Sequence, residues 1–154
     1  MNKKETLILG VGNPLRRDDG VGPEIIDLLF KGVNAPYLPP HVTIMDGGTD
    51  GLGLIEYFKE YKKVILVDAV LMGMPPGTVK VFKPDDALFH IGGDSLSTHG
   101  FGIPELIKLA KELDILPDLT IIGIQAENTD YGKGLSESVK CNIDKIINIM
   151  ASFI

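Results

Sequence analysis

Two short, almost entirely apolar runs constrain the fold of this chain more than any other feature. They lie at residues 6–11 and 64–69. A continuous apolar run of this length is typical of a strand that is buried on both faces of a sheet, as in parallel sheets covered by helices. The remaining segments alternate between strand and helix patterns, with further strands predicted at 42–46, 79–82 and 119–125, and helices at 23–32, 52–61, 104–113 and 135–151.

The link between the third and fourth strands, residues 70–77, indicates a mixed sheet. It is too short for the crossover of about a dozen residues that joins parallel neighbours, so strand 79–82 is predicted to run antiparallel. We therefore expect one domain, residues 1–154, with a three-layer α/β/α sandwich on a mostly parallel five-stranded sheet, similar to phosphorylase/hydrolase-like folds. The long stretch 83–102 is predicted to be a loop, and loops of that length are usually functional.

Composition excludes several classes of function. Lys and Arg number 15 against 21 Asp and Glu, a net charge of −6, which argues against binding to nucleic acid. The single Cys141 excludes an internal disulfide and a cysteine-based zinc cluster. The first residues lack the apolar stretch of a signal peptide, and no apolar run reaches the length of a membrane span. We expect a cytoplasmic monomer with no membrane partner.

Carboxylates follow the predicted parallel strands. In open α/β sheets, ligands bind beyond the carboxyl ends of the strands. If the first strand lies between the second and third, Asp18 or Asp19 would meet Asp46 and Asp68 at one edge, and His99 in the long loop could reach the same edge. Two carboxylates and an imidazole suit zinc, nickel, iron or manganese.

Each of these residues also has a purely structural interpretation. Asp19 could cap the helix that follows it. Asp68 directly follows an apolar strand, and a buried carboxylate needs a partner, which favours a functional role there. His99 taken alone could be an ordinary loop histidine, as could His41 and His90. The prediction of a site therefore depends on the convergence of these side chains.

The loop after the first strand carries Arg16 and Arg17, the only arginines of the chain. They could form local ion pairs in a solvated loop, or a clamp for a carboxylate or a peptide carbonyl. The same loop begins like the dinucleotide fingerprint G-x-G-x-x-G, but Leu15 stands in place of the third glycine. Cys141 falls off the apolar stripe of the last helix and is interpreted as structural.

Five blocks, taken in order, resemble the maturation endopeptidases of nickel-iron hydrogenases. The first is highly specific, the others are individually weak, and the match extends over about residues 6–150. They are GVGNPLRRDDGVG at 10–22, DGGT at 46–49, VDA at 67–69, THG at 98–100 and IGIQ at 122–125. One departure is Ala126, where family members often carry Pro.

The resemblance implies an aspartic-type endopeptidase that removes the C-terminal extension of a hydrogenase large-subunit precursor after nickel insertion. It implies a mixed five-stranded sheet and places the metal-contacting and catalytic trio on Asp19, Asp68 and His99, with Asp18 as the alternative acid. Nickel would be carried by the substrate, and no tightly bound cofactor is expected. Two other hypotheses remain open: a nucleotide- or cofactor-binding module using the glycine-rich loop, and a metal-sensing partner that does not cleave.

Overall fold

The computed structural model describes residues 2–32, 38–91 and 102–154, which form a mixed sheet with helices on both faces. The five strands lie in the order β2-β1-β3-β5-β4. A 3₁₀ turn at Arg17–Gly20 precedes the first helix. The strands are β1 Lys4–Val11, β2 Val42–Gly48, β3 Tyr61–Val70, β4 Val79–Phe82 and β5 Asp118–Gln125, and the helices are α1 Val21–Lys31, α2 Leu54–Glu60, α3 Pro84–His90, α4 Ile103–Glu112, α5 Glu137–Lys140 and α6 Ile143–Ala151.

The strand pairing confirms the predicted mixed sheet. β1 lies between β2 and β3 and is parallel to both, and β5 continues the parallel set beside β3. β4 is antiparallel, as its short link to β3 predicts, but its neighbour is β5 and not β3. The carboxyl ends of β1, β2, β3 and β5 therefore share one edge of the sheet, which we call the carboxyl edge.

Each face of the sheet has its own apolar core. On one face, Leu7, Leu9 and Leu66 pack with α2, α3 and α4, and on the other, Ile8 and Ile65 pack with α1, α5 and α6. Successive side chains of a strand point to opposite faces, so apolar residues at consecutive positions need helices on both sides. Fully burying one such side chain contributes about 1.5–3 kcal/mol.

Two predicted elements were wrong. The stretch 83–102 is not all loop, because its first part forms α3: Pro84 stands in the first turn, where a missing N–H costs nothing. The last helix is not continuous from 135 to 151, because α5 ends at Lys140 and α6 starts at Ile143. Asn142 lies between them, and its side chain donates to the carbonyl of Gly77 at 2.6 Å, which ties this break to the loop after β3.

No helix within the described ranges is both long and apolar enough to cross a bilayer.

Candidate active site at the carboxyl edge of the sheet

The loop after β1 folds back on itself and fixes the position of Asp19. At Gly12 the backbone has φ +137°, and a Cβ there would lie 1.8 Å from the carbonyl oxygen of Asp19, so only glycine fits. The amide of Asn13 donates to Oδ2 of Asp19 at 2.9 Å. Asp19 is 4% exposed. The glycine and the amide thus hold this carboxylate against the end of β1.

A second close approach brings this loop next to β3. A Cβ on Gly22, in the first turn of α1, would lie 2.5 Å from the carbonyl oxygen of Val11 and 2.7 Å from that of Val67. The start of α1 therefore packs directly on the backbone of both strands. Its contact on β3 is at Val67, the residue before Asp68. The glycine-rich block is specific in sequence because side chains at these positions would push Asp19 away from Asp68.

Asp19 and Asp68 interact electrostatically across this junction. Burial, and then the negative charge of Asp19, raise the pKa of Asp68 well above its usual range, against a lowering by a hydrogen bond from the Ala69 backbone. The side chain of Asp68 keeps some solvent contact, but protein atoms around its carboxyl group disfavour the charged form. Two neighbouring carboxyl groups can share a proton or bind a cation.

Asp18, the alternative acid, accepts hydrogen bonds from the segment that follows β5. It is completely buried and accepts hydrogen bonds from the amides of Glu127, Asn128 and Ser136 and from the hydroxyl of Ser136, at 2.7–3.0 Å. Burial raises the pKa of Asp18, but these bonds together lower it below its ordinary value. Asp18 thus anchors the loop after β5, and Asp19 is left as the acid beside Asp68. The sequence carries no local signal for this, because the partners lie more than a hundred residues away.

The two arginines have separate surroundings. Arg16 donates from Nε to the carbonyl of Thr129 at 3.0 Å, and its guanidinium lies 4.7 Å from the ring centroid of Tyr131. Arg17 adopts φ +47°, and its Nε is buried and has no hydrogen-bond partner among the described residues. The side-chain contacts of Arg16 therefore go to the loop after β5.

The other candidates lie apart from this junction or outside the described residues. Asp46 is exposed, and its Oδ1 accepts from the amide of Gly48 at 2.8 Å, which is a local turn. His90 packs against Phe82 at the end of α3, and Cys141 is exposed. His99 and residues 92–101 around it are outside the described ranges. Within the ranges described, no group of three His, Cys, Asp or Glu residues is placed to hold a metal ion.

Sequence reasoning missed the role of Gln125 in shaping the edge. Its side-chain oxygen accepts from the amides of Met72 and Met74 at 2.8 and 3.3 Å, which fixes the loop after β3. Ala126, which stands where family members often carry Pro, also fixes this loop. Its amide donates to the carbonyl of Val70 at 3.2 Å. Proline could not make this bond. The IGIQ block could have suggested a polar anchor, since Gln ends an apolar strand.

Several large apolar side chains are exposed in the loops at the carboxyl edge. Exposed examples come from the loops that follow each of the four parallel strands, and single exposed apolar residues are ordinary, but a set on one edge indicates a surface for another macromolecule. This apolar rim consists of Leu15, Leu52, Leu71, Met74 and Tyr131, which are 36–77% exposed.

Comparison with known proteins identifies the family. The family model HycI, described as hydrogenase maturation protease, matches residues 29–153, which is most of the chain. The chain belongs to the hydrogenase maturation protease family. Maturation proteases of this family are peptidases, so the chain is a hydrolase of this class. The identification agrees with the resemblance seen in the five sequence blocks.

Relatives and solved structures support this assignment over nearly the full chain. The hydrogenase expression/formation protein HupM of Azotobacter chroococcum is 35% identical over 96% of this chain and 70% of its own length. A putative hydrogenase maturation protease of Methanocaldococcus jannaschii is 34% identical, over 97% of this chain and 96% of its own length. The structure of the hydrogenase maturating endopeptidase HybD from E. coli superposes with a TM-score of 0.83 at 26% identity, covering 97% of this chain and 91% of HybD.

Proposed function

We propose that this maturation protease removes the C-terminal extension of a nickel-loaded nickel-iron hydrogenase large-subunit precursor. In this proposal, Asp19, Asp68 and His99 recognise the nickel of the substrate. The observation that carries it is the junction of Asp19 and Asp68, whose carboxyl groups are held close enough for the charge of one to raise the pKa of the other. His99 is included on its sequence resemblance alone.

The electrostatics of this pair suit a cation delivered by the substrate. With no cation, burial and the neighbouring charge keep a proton on Asp68 more strongly than in an ordinary aspartate. A carboxyl group that binds a metal must be deprotonated. The precursor's nickel would therefore replace the proton of Asp68, and a precursor without nickel would not. Docking would then depend on the loading of the substrate.

Cleavage follows from the same groups in this proposal. The ion can polarise the scissile carbonyl or lower the pKa of a water molecule. A carboxylate not fully occupied by the ion can take the proton of the attacking water and return it to the leaving amine. The substrate must be positioned at the carboxyl edge for this chemistry, and the apolar rim supports a protein substrate there because it offers contact area that a small molecule would not need.

The nucleotide-binding alternative is not supported by any contact in the loop after β1. That loop carries two buried aspartate side chains, Asp18 and Asp19, just before the helix N-terminus that would receive a phosphate. Negative charge there opposes phosphate binding. The remaining alternative, a partner that senses metal without cleaving, is an outcome of the experiment below.

The test is incubation of purified protein with nickel-loaded and nickel-free precursor, followed by mass measurement of the large subunit. We expect cleavage of the loaded precursor only, and a loss of at least about a hundredfold in rate in Asp19→Asn, Asp68→Asn and His99→Ala. Asp50→Asn is the matched control, because Asp50 is an exposed acid after β2 whose Oδ1 accepts from Gly53. Asparagine retains that acceptor, so its rate should be unchanged.

Each result has a distinct meaning. Wild-type rates in Asp68→Asn and His99→Ala would remove these residues from the mechanism. Equal cleavage of loaded and nickel-free precursor would leave the peptidase in place but refute nickel recognition. A stable complex with loaded precursor that is never cut would indicate the metal-sensing partner instead.

A further inference from the structure

A small cavity beside Gly20 is not used by the site described above. It has a volume of about 240 Å³ and lies between the 3₁₀ turn, the first turns of α1 and the segment that leads into α5. Pockets for whole small-molecule ligands are usually about 300–1,000 Å³, so this one has room for a single residue or chain end. Its lining includes the small or apolar residues Pro14, Gly20 and Leu135. It also includes three charged side chains, those of Arg17, Glu24 and Lys140.

Arg17 is the unusual member of this lining. Its Nε is the one side-chain nitrogen or oxygen, across the ranges that the structure describes, that is buried and lacks a hydrogen-bond partner. A guanidinium is always charged and its N–H groups are obligate donors, so leaving one unpaired away from water is unfavourable. The residue also has φ +47°, a conformation that is costly for arginine and is kept only where surrounding contacts enforce it.

Contacts on the backbone hold Arg17 in this position. Its amide donates to the carbonyl of Gly132 at 3.2 Å, and the amide of Gly132 donates to the carbonyl of Leu15 at 2.9 Å. Gly132 has φ +150°, and a Cβ there would come within 2.8–2.9 Å of the Arg17 guanidinium. The guanidinium therefore occupies the space that a side chain at residue 132 would fill.

We propose that this cavity binds a carboxylate of the precursor polypeptide, either an Asp or Glu side chain or the C-terminal carboxylate. Arg17 and Lys140 against Glu24 leave one net positive charge in the cavity, which matches a single carboxylate better than a phosphate dianion. An arginine offers paired donors that fit the geometry of a carboxylate. Gly20 places the cavity one residue from Asp19. The inference rests on the proposed function for the identity of the substrate.

Binding is tested without precursor or nickel, by NMR titration of ¹⁵N-labelled protein with three peptides. Acetyl-Ala-Glu-Ala-amide carries a side-chain carboxylate, acetyl-Ala-Gln-Ala carries a terminal one, and acetyl-Ala-Gln-Ala-amide carries neither. At least one of the charged peptides should shift the amides of Gly134 and Lys140, and the neutral peptide should not. Arg17→Gln should weaken this binding about tenfold, and Lys133→Gln, an exposed lysine outside the cavity, should not.

The peptides distinguish the two sources of the carboxylate. Shifts with the glutamyl peptide alone point to an acidic side chain, and shifts with the free carboxyl end alone point to the chain terminus. Equal binding of the neutral peptide, shifts remote from the cavity, no shifts at all, or unchanged binding in Arg17→Gln would each overturn the proposal. Thermal unfolding of Arg17→Gln, compared with wild type, shows whether the variant is folded.

Cleavage kinetics separate this inference from the proposed function. If wild-type protein cuts the loaded precursor, Arg17→Gln should raise KM about tenfold with kcat unchanged, because the lost contact is remote from the scissile bond. An unchanged KM would refute the role of the cavity in substrate binding and leave the peptidase activity standing. If wild-type protein cuts nothing, the proposed function fails, and the peptide titration still decides whether the cavity binds a carboxylate.

Discussion

Replacing Asp18 with asparagine tests the interpretation that this residue is structural, which leaves Asp19 as the acid of the proposed site. Three of its four hydrogen bonds go to Oδ2, from Glu127, Asn128 and the Ser136 hydroxyl, and one goes to Oδ1 from the Ser136 amide. Asparagine can keep its oxygen toward the three donors. Its NH₂ group must then face the Ser136 amide, so two donors oppose each other where 2.7 Å now separates donor from acceptor.

The expected loss follows from these bonds. A hydrogen bond to a charged acceptor contributes about 1.5–3 kcal/mol, and a buried donor left unpaired costs about 1–3 kcal/mol. Since neighbouring effects are not additive, we expect a decrease of about 3 kcal/mol in the free energy of unfolding for Asp18→Asn. For a chain of this length that corresponds to a fall of about 6–12 °C in melting temperature.

The contribution of Asp18 to the free energy of unfolding should depend on pH. The folded-state pKa of Asp18 is lowered, so its contribution to stability is complete above the unfolded-state pKa of about 3.9 and is lost as pH falls through the folded-state pKa. The difference in the free energy of unfolding between wild type and Asp18→Asn, which we call the gap, should therefore be constant above about pH 5 and become smaller in acid. Urea unfolding followed by circular dichroism, at steps between pH 3 and pH 7, measures this gap.

Asp46→Asn is the control, since Asp46 is exposed and has one local hydrogen bond, to the Gly48 amide. It should change stability by less than about 0.5 kcal/mol. A gap for Asp18→Asn below about 1 kcal/mol at pH 7, or one that does not narrow in acid, would contradict the assignment of Asp18 as the anchor of the loop after β5.

Three further substitutions test the frame of the site. Ala126→Pro removes the amide that donates to Val70 and should cost about 1–3 kcal/mol in chemical unfolding. Gln125→Ala frees two amides of the loop after β3, which should exchange at least about tenfold faster in hydrogen-exchange mass spectrometry. Gly22→Ala forces a Cβ against the Val67 carbonyl, so it should abolish cleavage and lower stability by more than about 3 kcal/mol, and wild-type behaviour would refute the close approach.

The sheet was largely predictable from sequence because its signals are local. Runs buried on both faces predict parallel strands, and a short link predicts the antiparallel one. The helix boundaries were harder to predict. α3 is a short helix of 7 residues within a polar stretch. The break before Ile143 depends on a bond between Asn142 and Gly77, and no local pattern reports a contact across 65 residues.

The sequence by itself determined the sheet, the edge at which acids collect and, through the glycine-rich block, the family. Only the tertiary structure distinguishes the surroundings of the two adjacent acids and of the two adjacent arginines. Asp18 and Asp19 are both aspartates in the same turn, but the first faces the loop after β5 and the second faces β3. In the part of the chain that the structure describes, the Nε of Arg16 has a hydrogen-bond partner and the Nε of Arg17 has none. The reason is that neighbours in a tight turn point in different directions, so their surroundings come from distant segments of the chain.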